Sequence, residues 1–130
     1  MVICDSDTLI DYLDENAKRH SNAVDVIENK IGLDNAMISV VTKMEILAGA
    51  SNKKEQTELA KHIDGFALSL INDKVSLKAV ELFLKYNLSH SLKIPDAIIA
   101  ATAIEAEVEL FTYNTKDFKF ISGLKLLSTK

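Results

Sequence analysis

Val2-Ile3-Cys4-Asp5-Ser6-Asp7-Thr8-Leu9-Ile10-Asp11 opens the chain, and its reading decides the fold. Residues 2–4 are a short apolar run that stops at Asp5. Leu9 and Leu13 then stand four apart beside Ile10, with Ser6 or Asp7 as the N-cap of a helix. A buried strand that ends in a polar turn and opens a helix is the βα unit of a parallel sheet. The same alternation continues downstream. Spacing predicts a helix over 21–31 with Val24, Ile27 and Ile31 on one face, then a strand over 36–40. A helix over 42–50 follows, closed by Gly49 and the polar Ser51-Asn52 pair. Another helix over 53–63 turns Leu59 and Ile63 inward, and 66–71 reads as a strand. Asn72 or Asp73 caps a long helix whose inward stripe is Leu77, Val80, Leu84 and Leu88. Pro95 opens a helix over 96–106 at its first turn, where a missing N–H costs little. Its small apolar residues, Ala100, Ala101 and Ala103 among them, imply close packing against a sheet. Residues 109–112 and 124–127 complete the strands. The expectation is an α/β fold: one domain over 1–130, with a central, mostly parallel open β-sheet flanked by helices.

Composition agrees with that reading. The 130 residues are 48% hydrophobic and 26% charged, with four Gly and one Pro, which excludes disordered and fibrous classes. Cys4 is the only cysteine, so neither a disulfide framework nor a cysteine-only zinc site is available. His20, His62 and His90 fit no close metal-ligand spacing. No apolar run approaches the roughly 20 residues of a membrane span. Met-Val-Ile-Cys-Asp has neither the basic start nor the cleavage site of a signal peptide, so a cytoplasmic location is expected. Charge is uneven: the first fifty residues hold four basic and nine acidic side chains, the rest eleven and ten.

Ligands bind beyond the carboxyl ends of the strands in open parallel sheets. The polar residues expected there are mostly acids. Asp5 follows the first strand and Asp7 stands two residues on. Glu45 lies in the helix after the second strand. Asp96 begins the helix before the fourth strand, and Asn114 and Asp117 follow that strand. Taken singly, Asp5, Asp7, Asp96 and Asp117 can each be read as a helix cap. Glu45 fits that reading less well, because it stands among Val41, Met44, Ile46 and Leu47. Clustered carboxylates repel, and a hard cation relieves them. Oxygen donors without histidine or thiolate suit Mg²⁺ or Mn²⁺, ions that support phosphodiester hydrolysis.

The opening stretch resembles that of PIN-domain nucleases, in which Asp ends the first strand and Asn commonly follows two later. Ile38-Ser39-Val40-Val41-Thr42-Lys43-Met44-Glu45-Ile46-Leu47-Ala48-Gly49 resembles their second motif, centred on Glu. Pro95-Asp96-Ala97-Ile98-Ile99-Ala100-Ala101-Thr102-Ala103 resembles the third. Thr112-Tyr113-Asn114-Thr115-Lys116-Asp117-Phe118 resembles the fourth. Length and closing strand also resemble VapC-type toxins of toxin–antitoxin pairs. The resemblance implies an endoribonuclease dependent on Mg²⁺ or Mn²⁺, with Asp5, Glu45 and Asp96 as its acidic triad. The fourth acid falls at Asp117, or its place is taken by Asn114. Asp7 departs from the common Asn and adds a charge beside Asp5, and Thr112 belongs to the same stretch. It further implies an RNA substrate such as a tRNA or rRNA loop, a VapB-type antitoxin over the acidic rim, and a homodimer. Leu9, Tyr12, Leu13 and the helix around Val41–Leu47 are the candidate docking residues.

Other readings compete. Asp5-Ser6-Asp7-Thr8-Leu9 is close to the opening motif of haloacid-dehalogenase-type phosphatases, with Asp5 as nucleophile. That family also needs a late acidic pair, and it leaves Glu45 without a role. A receiver domain needs an acid after a central strand, whereas Asp64 follows a helical stretch. A non-catalytic RNA- or protein-binding module on the same fold has no need of Asp5, Glu45 and Asp96 together. Setting aside Asp5, Glu45, Asp96 and Asp117 leaves 15 acidic residues against 15 basic ones, so RNA is not repelled once a cation fills the site. Lys43, Lys116 and Lys119 are candidate phosphate contacts and Tyr113 a candidate base stack; surface solvation and packing are the ordinary alternatives.

Overall fold

Among the described residues four parallel strands form one sheet in the order β3-β2-β1-β4: β1 Val2–Cys4, β2 Ala36–Ser39, β3 Ala67–Ser69 and β4 Glu109–Phe111. This is a computed structural model describing residues 1–128, so Thr129 and Lys130 of the domain expected over 1–130 lie outside the described residues. The helices are α1 Ser6–Leu13, α2 His20–Val24, α3 Val40–Ala48, α4 Lys53–His62, α5 Asp73–His90 and α6 Ile94–Ala106. The stretch after α2 runs on as a π-helical segment, Asp25–Ile31, and completes the helix expected there. The sheet is wholly parallel. The helix of the second βα unit begins at Val40, earlier than spacing indicated, because Ser39 Oγ accepts the Val41 N–H at 3.1 Å and caps α3.

Side-chain alternation along the strands builds two cores. Val2 and Cys4 of β1, Ala36 and Ile38 of β2 and Phe111 of β4 pack on one face with Leu9, Val26, Ile27 and Ile46. Ile3 and Leu110 point to the other face, under α5 and α6. Ala97, Ala100, Ala101 and Ala103 are almost wholly buried, so the small side chains let α6 approach closely.

Two expectations fail. Leu77, Val80, Leu84 and Leu88 do not face the core: Leu77 is 73% and Leu88 is 96% exposed. The buried stripe of α5 is Val75, Ala79, Leu82 and Tyr86. Both rows repeat at helical spacing, and the buried one brings Ala79 against the alanine-rich α6 while Tyr86 packs on Phe120. The expected strand over 124–127 is a single parallel bridge, Leu110 to Leu126. Leu110 N–H donates to the Lys125 carbonyl at 2.9 Å, and Leu127 N–H to that of Leu110 at 2.8 Å. With β4 only three residues long, there is little edge to extend.

Chain order and strand order diverge at β1, which is flanked by β2 on one side and β4 on the other. A crevice opens at such a switch point, beyond the carboxyl ends of the two strands.

Candidate active site

Asp5 leaves the end of β1 beside β4, with its N–H bonded to the Phe111 carbonyl at 2.9 Å. Asp5, and not Ser6 or Asp7, is the N-cap of α1, so the cap reading and the site reading both hold for it. Its Oδ1 accepts the Ser6 N–H at 2.8 Å and caps α1, while its Oδ2 accepts the Thr112 hydroxyl at 2.8 Å. Asp7, in the first turn of α1, gathers the loop after β4: its Oδ2 accepts the backbone N–H groups of Tyr113 at 3.0 Å and Asn114 at 3.1 Å. Its Oδ1 is buried and has no hydrogen-bond partner among the described residues. Glu45 projects from α3 and accepts the Ser6 hydroxyl at 2.7 Å. Asp96 sits in the first turn of α6, where Pro95 leaves no N–H to satisfy. Asp117 ends a 3₁₀ turn, Thr115–Asp117.

These elements enclose a pocket of about 280 Å³ lined by Asp5, Asp7, Glu45, Asp96, Asn114 and Asp117. Four segments far apart in sequence thus bring acids to one rim. Lys93, Ser6, Ile10, Pro95 and Phe118 complete the lining. Thr112 is buried behind Asp5 and supports it. Lys43, Lys116, Lys119 and Tyr113 do not line the pocket. Tyr113 is held by packing: Arg19 lies 4.1 Å from its ring centroid, and its hydroxyl bonds Asn22 at 2.6 Å. Leu9 is core, with Tyr12 and Leu13 packed against that core, whereas Ile10 is exposed and lines the pocket.

Sequence reading passed over Lys93 and Ser6. Lys93 stands three residues before Asp96 and is the cation that offsets its charge. Position offered one signal, since Lys93 is the N-cap residue of α6. Ser6 lies between two aspartates and links Asp5 to Glu45 through its N–H and its hydroxyl.

Burial and mutual repulsion hold protons on this cluster. Asp5 is pushed up to about 7, first by burial and then by the charge of Asp7, against the hydrogen bonds from Thr112 and Ser6. Burial, then Asp117, raises Asp96 to about 6, with Lys93 opposing. Burial also raises Asp7. These shifts have a consequence for stability. Between about pH 4 and pH 7 the folded chain holds protons that the unfolded chain has released, so stability falls as pH rises through that window. The expected loss in EDTA is on the order of a few kcal/mol. Thermal unfolding in EDTA from pH 4.5 to 8 checks it; a midpoint that climbs steadily to pH 8 would contradict these shifts.

The residues present fit a hard divalent cation. Every acidic donor is oxygen, and the unpartnered Oδ1 of Asp7 is a buried acceptor without a donor. Among the described residues no three His, Cys, Asp or Glu side chains stand close enough to hold an ion together. A cation held here would have to draw the carboxylates closer together than they stand.

The PIN domain model matches residues 2–124, a span that holds every acidic residue of the pocket. The chain belongs to the PIN-domain family. That match leaves the phosphatase and receiver-domain readings without support. Among solved structures, this PIN domain is similar to a toxin–antitoxin complex from Klebsiella pneumoniae, at 28% identity and a TM-score of 0.78, covering 100% of this chain and 98% of that one. VapBC from Salmonella typhimurium, solved bound to DNA, gives 14% identity and a TM-score of 0.80 over 99% and 98% of the two chains. VapBC2 from Rickettsia felis, bound to a DNA fragment from its promoter, gives 20% and 0.74 over 98% of each. At those identities the last two speak for the fold alone. No curated protein matches significantly. No helix among the described residues is long and apolar enough to cross a membrane.

Proposed function

We propose that this PIN domain is an endoribonuclease dependent on Mg²⁺ or Mn²⁺ and the VapC-type toxin of a toxin–antitoxin pair. The observation that carries the reading is the convergence of Asp5, Glu45, Asp96 and Asp117 on one pocket at the switch point of the sheet, with neither histidine nor cysteine in its lining. Asp5 and Asp96 are the principal ligands, and Glu45 and Asp117 complete the set directly or through water. When bound, the cation lowers the pKa of a water for attack on phosphorus and neutralises charge on the leaving oxygen. Thr112 and the Ser6 N–H orient the two oxygens of Asp5, and Ser6 restrains Glu45. Asp7 fixes the loop after β4 against α1. Lys93 supplies positive charge at the mouth, where a scissile phosphate enters. Lys43, Lys116, Lys119 and Tyr113 are left with at most outlying contacts to RNA.

Single-stranded or loop RNA is favoured, because in-line attack needs a phosphate that can be splayed into the rim. A tRNA or rRNA loop meets that need. The likeness to the toxin–antitoxin complex from Klebsiella pneumoniae supports a VapB-type antitoxin as partner, covering the acidic rim beside Ile10. The same resemblance supports a homodimer acting in the cytoplasm. Expression without a partner is expected to arrest growth, and mapping of new 5′ ends in those cells is expected to show one or a few dominant cuts in loops. Uniform degradation of all RNA, duplex included, would sink the substrate assignment. A harmless chain that still cuts RNA in vitro would make it a housekeeping nuclease instead.

A further inference from the structure

Arg19 is the only arginine of the chain, and the chemistry of the acidic pocket leaves it without a role. It is fixed at both ends. Its carbonyl accepts the Ala23 N–H at 2.8 Å at the start of α2, and its Nε donates to Asp11 Oδ2 at 2.8 Å. Its guanidinium lies over the Tyr113 ring, 4.1 Å from the centroid. The ring beneath is held in turn. Tyr113 donates its N–H to Asp7 Oδ2 at 3.0 Å and its hydroxyl to Asn22 Oδ1 at 2.6 Å, and Phe111 meets it edge-on with centroids 5.3 Å apart. Despite these contacts the Arg19 side chain is 52% exposed. Among the described residues no second ring stacks on it and no carboxylate but Asp11 bonds it.

This stack stands beside the acidic pocket, outside its lining. Asp7 lines the pocket, and Asp11 stands one turn further along α1, about 6 Å away. Asn114, the residue after Tyr113, lines the pocket too. A strand with one phosphate at the acids therefore has a neighbouring nucleotide within reach of Arg19.

The geometry points to Arg19 as a stacking platform for an unpaired base flanking the scissile phosphate, with Tyr113 as its backing. The assignment rests on the RNA-cleaving reading and gives it a contact that recognises bases. Unstacked bases lie on guanidinium planes as they do on aromatic rings. A phosphate contact fits less well, because Asp11 already offsets the charge and occupies the Nε–H. What stays free is a flat face whose orientation is set before any ligand arrives, so little side-chain freedom is lost on binding. Every base has a π-face, so such a platform selects unpaired nucleotides over duplex without reading sequence.

Fluorescence anisotropy with the full chain carrying Asp5→Asn, in Mg²⁺, is the test. Two labelled probes of about eight residues are compared: oligoadenylate, and the same ribose–phosphate chain without bases. Arg19→Ala added to that chain should weaken oligoadenylate binding about tenfold and change binding of the abasic chain less than about twofold. Arg19→Lys keeps the charge but not the plane, and should lose as much as Arg19→Ala. Circular dichroism should be unchanged in both, since an exposed ion pair contributes little to stability. Equal weakening of the two probes, or full rescue by Arg19→Lys, would make Arg19 a phosphate contact and overturn the assignment. Oligoadenylate binding that is unaffected by Arg19→Ala, or no tighter than that of the abasic chain, would overturn it as well. None of these results bears on the nuclease reading, which stands or falls on cleavage by the wild type and its loss in Asp5→Asn.

Discussion

Asp5→Asn is expected to lower RNA cleavage by at least about 10³-fold, which is about 4 kcal/mol of transition-state stabilisation at 1.4 kcal/mol per decade. The same substitution should make the metal-free protein more stable. Asp5 is 6% exposed and, above pH 7, carries a charge that burial and Asp7 both oppose. Asn is isosteric and neutral. Its carbonyl oxygen keeps the cap to the Ser6 N–H, and its amide can donate to the Thr112 hydroxyl, which reverses its role. Removing the charge should raise the thermal midpoint in EDTA at pH 7.5 by on the order of 5 °C or more, and flatten the pH dependence. Activity and stability would then move in opposite directions, as in sites held under electrostatic strain. Asp5→Asn that lost activity because it unfolded would instead lower the midpoint. Unchanged cleavage would remove Asp5 from the metal site.

How much of this could be read from the chain depended on whether the signal was local. The β1–α1 unit was legible, because an apolar run, a capping acid and a helical repeat all lie within twelve residues. Pro95 and the alanines of α6 were legible for the same reason: proline fixes a helix start, and small residues have few uses other than close packing. The inward face of α5 was not. Its two rows, Val75-Ala79-Leu82-Tyr86 and Leu77-Val80-Leu84-Leu88, repeat with the same period, and the bulkier row looked like the core. Only the neighbour decides, and the neighbour is α6.

The acidic site followed a similar division. Asp5, Glu45, Asp96 and Asp117 were placed at strand ends and helix starts by local pattern, and the topology brought them together. Lysines near the motifs in sequence were poor guides, because Lys43, Lys116 and Lys119 leave the pocket while Lys93, ahead of the proline, enters it. Contacts such as Ser6 to Glu45, 39 residues apart, depend on how α1 and α3 lie against each other, which no local pattern encodes.

Metal dependence is the second large effect expected. Without a cation the pocket holds several repelling carboxylates, two of them still titrating near neutrality. Their protonated forms are poor ligands and no substitute for a cation at the leaving oxygen, so excess EDTA should abolish cleavage. Added Mg²⁺ or Mn²⁺ should restore it and raise the thermal midpoint at pH 7.5, since a ligand that binds only the folded state stabilises it. Asp96→Asn should weaken both responses.

The most direct test of the central claim is to incubate the purified chain with a loop-containing RNA and determine the ends of the products, with Mn²⁺ and then with excess EDTA. A metal-dependent hydrolase should give 5′-phosphate and 3′-hydroxyl ends with Mn²⁺ and no product in EDTA. Undiminished cleavage in EDTA, or cyclic-phosphate ends that make the 2′-hydroxyl the nucleophile, would contradict it.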